Sequence, residues 1–239
     1  NKLKEKLAAN LPTIGPFVAF PNPAMVEVLG WLGFDFVIID CEHGPADYET
    51  AENMIRSAEL SGTTPMVRIG MNSAQHIQRY LEAGAQGVLI PLINTGDDAK
   101  SVIEAVRYPP IGKRGAFAGR SSMYGVQAVS DYVKEANEEI LVGLQIETPE
   151  ALINQDEIIN TNGADIIFLG PGDLSLNMGH PGEMEHPDVI NVIDGLVQKT
   201  LAAGKHAGTL GNHPEHAKFW HSKGVNWIVS SSTRLFMAG

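Results

Sequence analysis

Hydrophobic and polar positions alternate along this chain in two rhythms that repeat eight times. Short apolar, β-branched runs read as strands at 14–20, 36–40, 65–69, 86–92, 140–147, 165–170, 206–210 and 226–231. Between them, apolar residues recur at helical spacing, as in Tyr48, Ala51, Met54, Ile55 and Ala58. The pattern predicts helices over 23–31, 47–61, 73–83 (capped by Ser73), 97–107, 129–138, 149–159, 172–178, 189–203 and 213–222. Eight strands, each followed by a helical segment, close most economically as a (β/α)8 TIM barrel occupying 1–239 as a single domain. An open doubly wound sheet is the alternative, and no G-x-G-x-x-G follows the first strand to favour a dinucleotide-binding version. Residues 108–125 break the rhythm with Pro109, Pro110, Gly112, Gly115, Gly119 and Gly125. Such a long irregular stretch is expected to serve function. Only Ser232–Gly239 follow the last strand, which is short for a closing helix, so that helix is expected to be truncated or docked on a neighbouring subunit.

Composition narrows the function. The 239 residues are 44% hydrophobic, which suits one large core. With 28 acidic against 17 basic residues the formal net charge is −11, which argues against nucleic acid or an anionic membrane as partner. No segment approaches the length of a membrane span, and the N-terminal residues lack the apolar core of a signal peptide. The single cysteine, Cys41, forms no internal disulfide and suits a reducing, cytoplasmic setting.

Candidate chemistry lies at the C-terminal ends of the strands, which converge on one face of a barrel. Asp40, Glu42 and His43 follow the apolar run 36–39, and Arg68 ends the next strand. Gln145 and Glu147 stand two apart and so share a face. Asp173 follows the turn Gly170-Pro171-Gly172. Glu147 and Asp173 together make an oxygen site suited to a hard divalent ion, whereas each alone also reads as a helix cap. Arg68 is free to bind an anion or to pair with Asp40 or Glu42. The turn at 170–173 offers backbone N–H groups to a carboxylate. His43 is the candidate general base. His76, His180, His186, His213, His216 and His221 read as solvated surface.

These pieces resemble the HpcH/HpaI family of metal-dependent, class II pyruvate aldolases. The matching stretches are IDCEHGP at 39–45, PMVRI at 65–69, LEAGAQGVLIP at 81–91, RYPPIGKRG at 107–115, LQIET at 144–148 and FLGPGDLSLNMG at 168–179, in family order. The resemblance implies reversible cleavage of 4-hydroxy-2-keto or 2-keto-3-deoxy sugar acids to pyruvate or hydroxypyruvate plus an aldehyde, through a metal-stabilised enolate. It assigns the divalent metal (Mg²⁺, Mn²⁺ or Co²⁺) to Glu147 and Asp173. It assigns the ketoacid to Arg68, Gln145 and the backbone at Gly170, Gly172 and Asp173. It makes His43 the acid/base group, supported by an acid at the position of Glu82, where many relatives carry Asp. Phe17, Ala116, Leu210 and the 112–125 loop are expected to shape the aldehyde pocket. A homo-oligomer, a hexamer in this family, is expected. The competing readings are a related lyase or decarboxylase acting on oxaloacetate or an acyl-CoA, and a non-catalytic ketoacid-binding barrel. No lysine stands at a corresponding strand end, which argues against Schiff-base chemistry.

Overall fold

A computed structural model describes residues 1–238. Eight parallel strands close in sequence order, with the last pairing back onto the first. They are β1 (Thr13–Val18), β2 (Phe36–Asp40), β3 (Thr64–Arg68), β4 (Gly87–Ile90), β5 (Leu141–Ile146), β6 (Ile166–Leu169), β7 (His206–Leu210) and β8 (Trp227–Ser231). The helices are α1 (Lys2–Ala8), α2 (Pro23–Trp31), α3 (Tyr48–Ser61), α4 (Ala74–Glu82), α5 (Gly96–Val106) and α6 (Val129–Glu139). After β5 come α7 (Pro149–Ile153), α8 (Gln155–Ile159), α9 (Pro171–Asn177), α10 (Pro187–Ala202), α11 (Pro214–Ser222) and α12 (Ser232–Ala238). The (β/α)8 barrel is therefore the fold.

The alternation of side chains along each strand builds two cores. Val37, Ile39, Val67, Val88, Ile90, Val142, Leu144, Ile146 and Ile167 point outward into the layer beneath the helices. Phe36, Ile38, Met66, Leu89, Leu141, Ile166, Phe168, Trp227 and Val229 point inward and fill the barrel. Phe36 and Trp227 stack with centroids 5.0 Å apart, and Phe168 meets Trp227 edge-on. The N-terminal end of the barrel is plugged by Leu3 and Leu7 of α1, both fully buried in this inner cluster. The apolar periodicity read above did not include α1, because a seven-residue helix with two apolar positions gives almost no periodic signal.

Local chemistry sets the boundaries. Asp47 caps α3 by accepting from Thr50 N, and Thr95 and Asp98 form a reciprocal capping box on α5. The expected helix 149–159 is two helices that meet at Asn154. Ser73 stands at the N-cap of α4, but its side chain makes no capping bond. Ser232–Ala238 do form a helix, in which Phe236 meets Phe20 edge-on.

Candidate active site

Two residues further up the same inward-facing stripes, the side chains turn polar. On β2 the inward series Phe36, Ile38 continues to Asp40, and on β3 Met66 continues to Arg68. On β5 the series Leu141, Gly143 continues to Gln145 and Glu147. The parallel register sets Asp40 directly beside Arg68, and Gln145 beside Phe168.

Arg68 Nε donates to Asp40 Oδ1 at 3.0 Å and Nη2 to Oδ2 at 2.6 Å, a bidentate pair with both residues buried. Asp40 Oδ1 also accepts from the peptide N–H groups of Glu42 and His43, at 3.2 Å each, so it fixes the loop that carries them. Burial pushes the Asp40 carboxyl up, but the hydrogen bond and charge of Arg68 and these two amides outweigh it and hold the group below its usual range. The sequence allows Arg68 to be free or paired. The structure does both, since Nη1 makes no hydrogen bond among the described residues. The guanidinium lies 4.2 Å over the ring of Phe17.

Glu147 is only 2% exposed. Its Oε1 accepts from Leu92 N at 2.9 Å, and its Oε2 from Gln145 Nε2. Burial pushes its carboxyl up to about 7; the bonds from Gln145 and Leu92 oppose this, and the charges of Asp173 and Glu42 add to it. Such a buried acid facing two others is a group that a cation stabilises. Gln145 Oε1 is buried with no partner among the described residues. The capping explanation for the two acids does not hold: Thr148 caps α7, and the N-cap of α9 is Gly170. Gly170 packs closely under this acid: a Cβ there would press on Glu147, 3.0 Å from Oε2 and 3.1 Å from Cβ. At Gly172 nothing lies within 4 Å of an added Cβ, so the backbone is open to solvent, as is Asp173. Leu210, at the end of β7, packs half-buried against the inner cluster.

Two expectations change. Glu82 ends α4, and α4 runs back from the C-terminal to the N-terminal end of the barrel. Glu82 therefore lies in the last turn of a helix that leads away from the mouth that carries His43. Gln78 Nε2 donates to it at 2.8 Å, and no hydrogen bond or ion pair joins it to His43 among the described residues. The acid beside His43 is Glu42, with Oε2 3.8 Å from His43 Nε2. Likewise no hydrogen bond or ion pair joins the 112–125 stretch, with Ala116, to the converging polar residues among the described residues. Phe117 lines a groove with Tyr48, Glu52 and Arg79, while Arg120 bonds Glu59 and Ala83 O along the flank of α3 and α4. His216, read as surface, is buried and accepts from Trp220 Nε1 at 2.7 Å. A cavity of about 650 Å³ lined by Asn1, Gln86, Arg120 and Tyr132 lies toward the opposite end and contains none of the converging polar residues.

A closed parallel barrel with acids, an arginine and a histidine at its C-terminal mouth has the layout of a barrel enzyme's active site. The model for HpcH/HpaI aldolase/citrate lyase matches residues 13–217, and the chain belongs to that family. It is 36% identical over 233 residues to the 5-keto-4-deoxy-D-glucarate aldolase of Shigella boydii, covering 97% of this chain and 90% of that one. An HpcH/HpaI aldolase/citrate lyase family protein from Burkholderia cenocepacia superposes with a TM-score of 0.94 at 28% identity, over 100% of this chain and 95% of that one. The citrate lyase beta subunit of M. tuberculosis, solved with oxaloacetate and magnesium, shares the fold at 18% identity and a TM-score of 0.64, over 95% and 93% of the two chains.

Proposed function

We propose that this lyase cleaves 4-hydroxy-2-keto acids, or 2-keto-3-deoxy sugar acids such as the keto-deoxy-glucarate of its relatives, to pyruvate or hydroxypyruvate and an aldehyde, reversibly. The observation that carries the reading is the polar top of the inward stripes: a buried Glu147, an unpaired Gln145 Oε1 and an Arg68 with Nη1 free. Glu147 and Asp173 are the residues to hold a divalent ion, and the donor set, all oxygen, suits Mg²⁺, Mn²⁺ or Co²⁺. Such an ion, when bound, polarises a ketoacid carbonyl and acidifies the neighbouring C–H.

The chain's own groups then divide the work. Arg68 Nη1 binds the ketoacid oxygens, held in place by Asp40. The N–H groups of Gly172 and Asp173, in the first turn of α9, have no intrahelical partner and receive the carboxylate. Gln145 orients the donor, and Leu210 with Phe17 forms an apolar wall. In cleavage, His43 takes the proton of the acceptor hydroxyl as the carbon–carbon bond breaks, and the bonding electron pair passes to the ketoacid fragment. In synthesis His43 returns the proton. Glu82 assists His43 only if a second copy of the chain brings it to the mouth. A homo-oligomer, hexameric by family resemblance, belongs to the same reading, and exposed Trp31, Leu32 and Phe236 offer apolar surface for it. So do one barrel domain over 1–239, whose Gly239 lies outside the described residues, and a cytoplasmic setting for the unpaired Cys41.

The test is coupled detection of pyruvate from 5-keto-4-deoxy-D-glucarate, with oxaloacetate as the competing substrate. Metal-dependent pyruvate release with an aldehyde co-product supports the reading. Turnover of oxaloacetate alone would replace it with the decarboxylase, and binding without turnover would replace it with the ketoacid-binding barrel.

A further inference from the structure

Outside the mouth, histidines and acids gather at two places among the described residues, His180–Glu183–His186 and Glu185–His213–His216. Neither geometry suits an ion. The indole N–H of Trp220 donates to His216 Nε2 at 2.7 Å and Asn212 N to its Nδ1 at 3.5 Å, so both ring nitrogens that would face an ion are already engaged. The rings of His180 and His186 stack, with centroids 3.5 Å apart and planes 15° apart, so an ion in the plane of one lies out of the plane of the other.

Inside the mouth, Glu42 is the charged residue without a role. Its Oε2 is buried and takes no hydrogen bond, yet it stands 3.2 Å from Arg68 Nε and 3.8 Å from His43 Nε2. It is not needed to hold Arg68, whose Nε and Nη2 are both engaged by Asp40. His43 has no such anchor: its side chain is 66% exposed. Only its peptide N–H is fixed, by Asp40.

Resting on the lyase reading, we propose that Glu42 is the positioning residue of His43 within one chain. Its Oε2 accepts the imidazole Nε2–H once a small turn of the exposed ring closes the 3.8 Å gap. That bond selects the tautomer with a free lone pair on Nδ1 and turns Nδ1 toward the aldehyde side of the mouth. The same carboxylate supports the ring while it carries the substrate proton. A base oriented by an adjacent acid is the arrangement that general-base catalysis requires.

The experiment compares Glu42→Gln, Glu42→Asp, His43→Ala and the Glu42→Gln/His43→Ala double variant in the metal-loaded protein. Glu42→Gln is expected to lower kcat about tenfold or more, with KM for the ketoacid unchanged. Glu42→Asp is expected to lose less, and the double variant to be no slower than His43→Ala. Long-range ¹H–¹⁵N spectra of histidine-labelled protein give a readout independent of turnover: the Nε2–H tautomer of His43 dominates in the wild type and is depleted in Glu42→Gln. A rise in KM with kcat intact would make Glu42 a brace for Arg68 and overturn the proposal. So would additive losses in the double variant, or a His43 tautomer indifferent to Glu42. If the wild type cleaved no hydroxy-ketoacid yet its tautomer depended on Glu42, the lyase reading would fail and the positioning would stand.

Discussion

The two ends of the barrel interior are made by the same strands and obey opposite rules. At the N-terminal end Phe36, Leu141, Ile166 and Trp227, with Leu3 and Leu7 from α1, form a dry plug without a charge. Further along the inward stripes of β2, β3 and β5 stand Asp40, Arg68, Gln145 and Glu147, every one at least nine-tenths buried. Burial of apolar area stabilises the first end. Burial of acids is unfavourable at the second unless each is paired, hydrogen-bonded or met by a cation. Asp40 is paired, whereas Glu147 has a raised carboxyl and Gln145 Oε1 has no partner. The difference separates the half of the interior that holds the fold from the half left incomplete for a ligand.

Substitutions at the upper end should remove activity and leave the fold. The largest effect is expected from Glu147→Gln, which removes a charged ligand: turnover should fall about a thousandfold or more. Calorimetric titration with Mn²⁺ should show weakened ion binding while circular dichroism is unchanged. His43→Ala should lose about 10²–10⁴-fold in aldol cleavage. Pyruvate binding, measured by titration, should survive, because Arg68 is held by Asp40 and not by His43. At the lower end the order reverses. Leu7→Ala should cost about 2–5 kcal/mol in urea unfolding, with kcat of the folded fraction unaltered.

A subtler contrast is electrostatic. In metal-free protein, the folded state holds the Glu147 proton more tightly than the unfolded state, since its carboxyl is raised from 4.5 to about 7. That contribution is fully present below the unfolded value and is lost as pH rises through the folded one. Thermal midpoints of chelator-treated protein should therefore fall from about pH 4.5 to about pH 7 on this account, and added Mn²⁺ should restore them most at the upper end of that range. The smallest effect is expected for Glu82→Gln, which leaves the mouth of its own chain untouched.

Much of this contrast is legible in the sequence. The inward stripes Phe36–Ile38–Asp40 and Leu141–Gly143–Gln145–Glu147 are written at period two, and they fix both the face and the end at which the polar groups appear. The plug helix α1 is not legible, because its two leucines acquire meaning only when the barrel closes around them. Motif position alone puts the support for His43 on Glu82. α4 leads away from the mouth and Glu82 is bonded to Gln78 one turn earlier, which a linear reading does not reveal. The 108–125 stretch reads as irregular, but its course along α3 and α4 depends on Arg120 meeting Glu59 and Ala83, a pairing across 61 and 37 residues. His216 reads as an exposed helical histidine, yet its partner Trp220 one turn later gives the one local signal that it is buried.

The central claim is that the polar upper end of the interior is a ketoacid lyase site. The most direct measurement is the rate of pyruvate release from 5-keto-4-deoxy-D-glucarate by wild-type and Glu147→Gln protein, each treated with chelator and then titrated with Mn²⁺. The account predicts that wild-type activity is abolished by chelation and restored by the ion, and that folded Glu147→Gln stays inactive throughout. Equal rates for the two proteins, or full wild-type turnover in excess chelator, would contradict it.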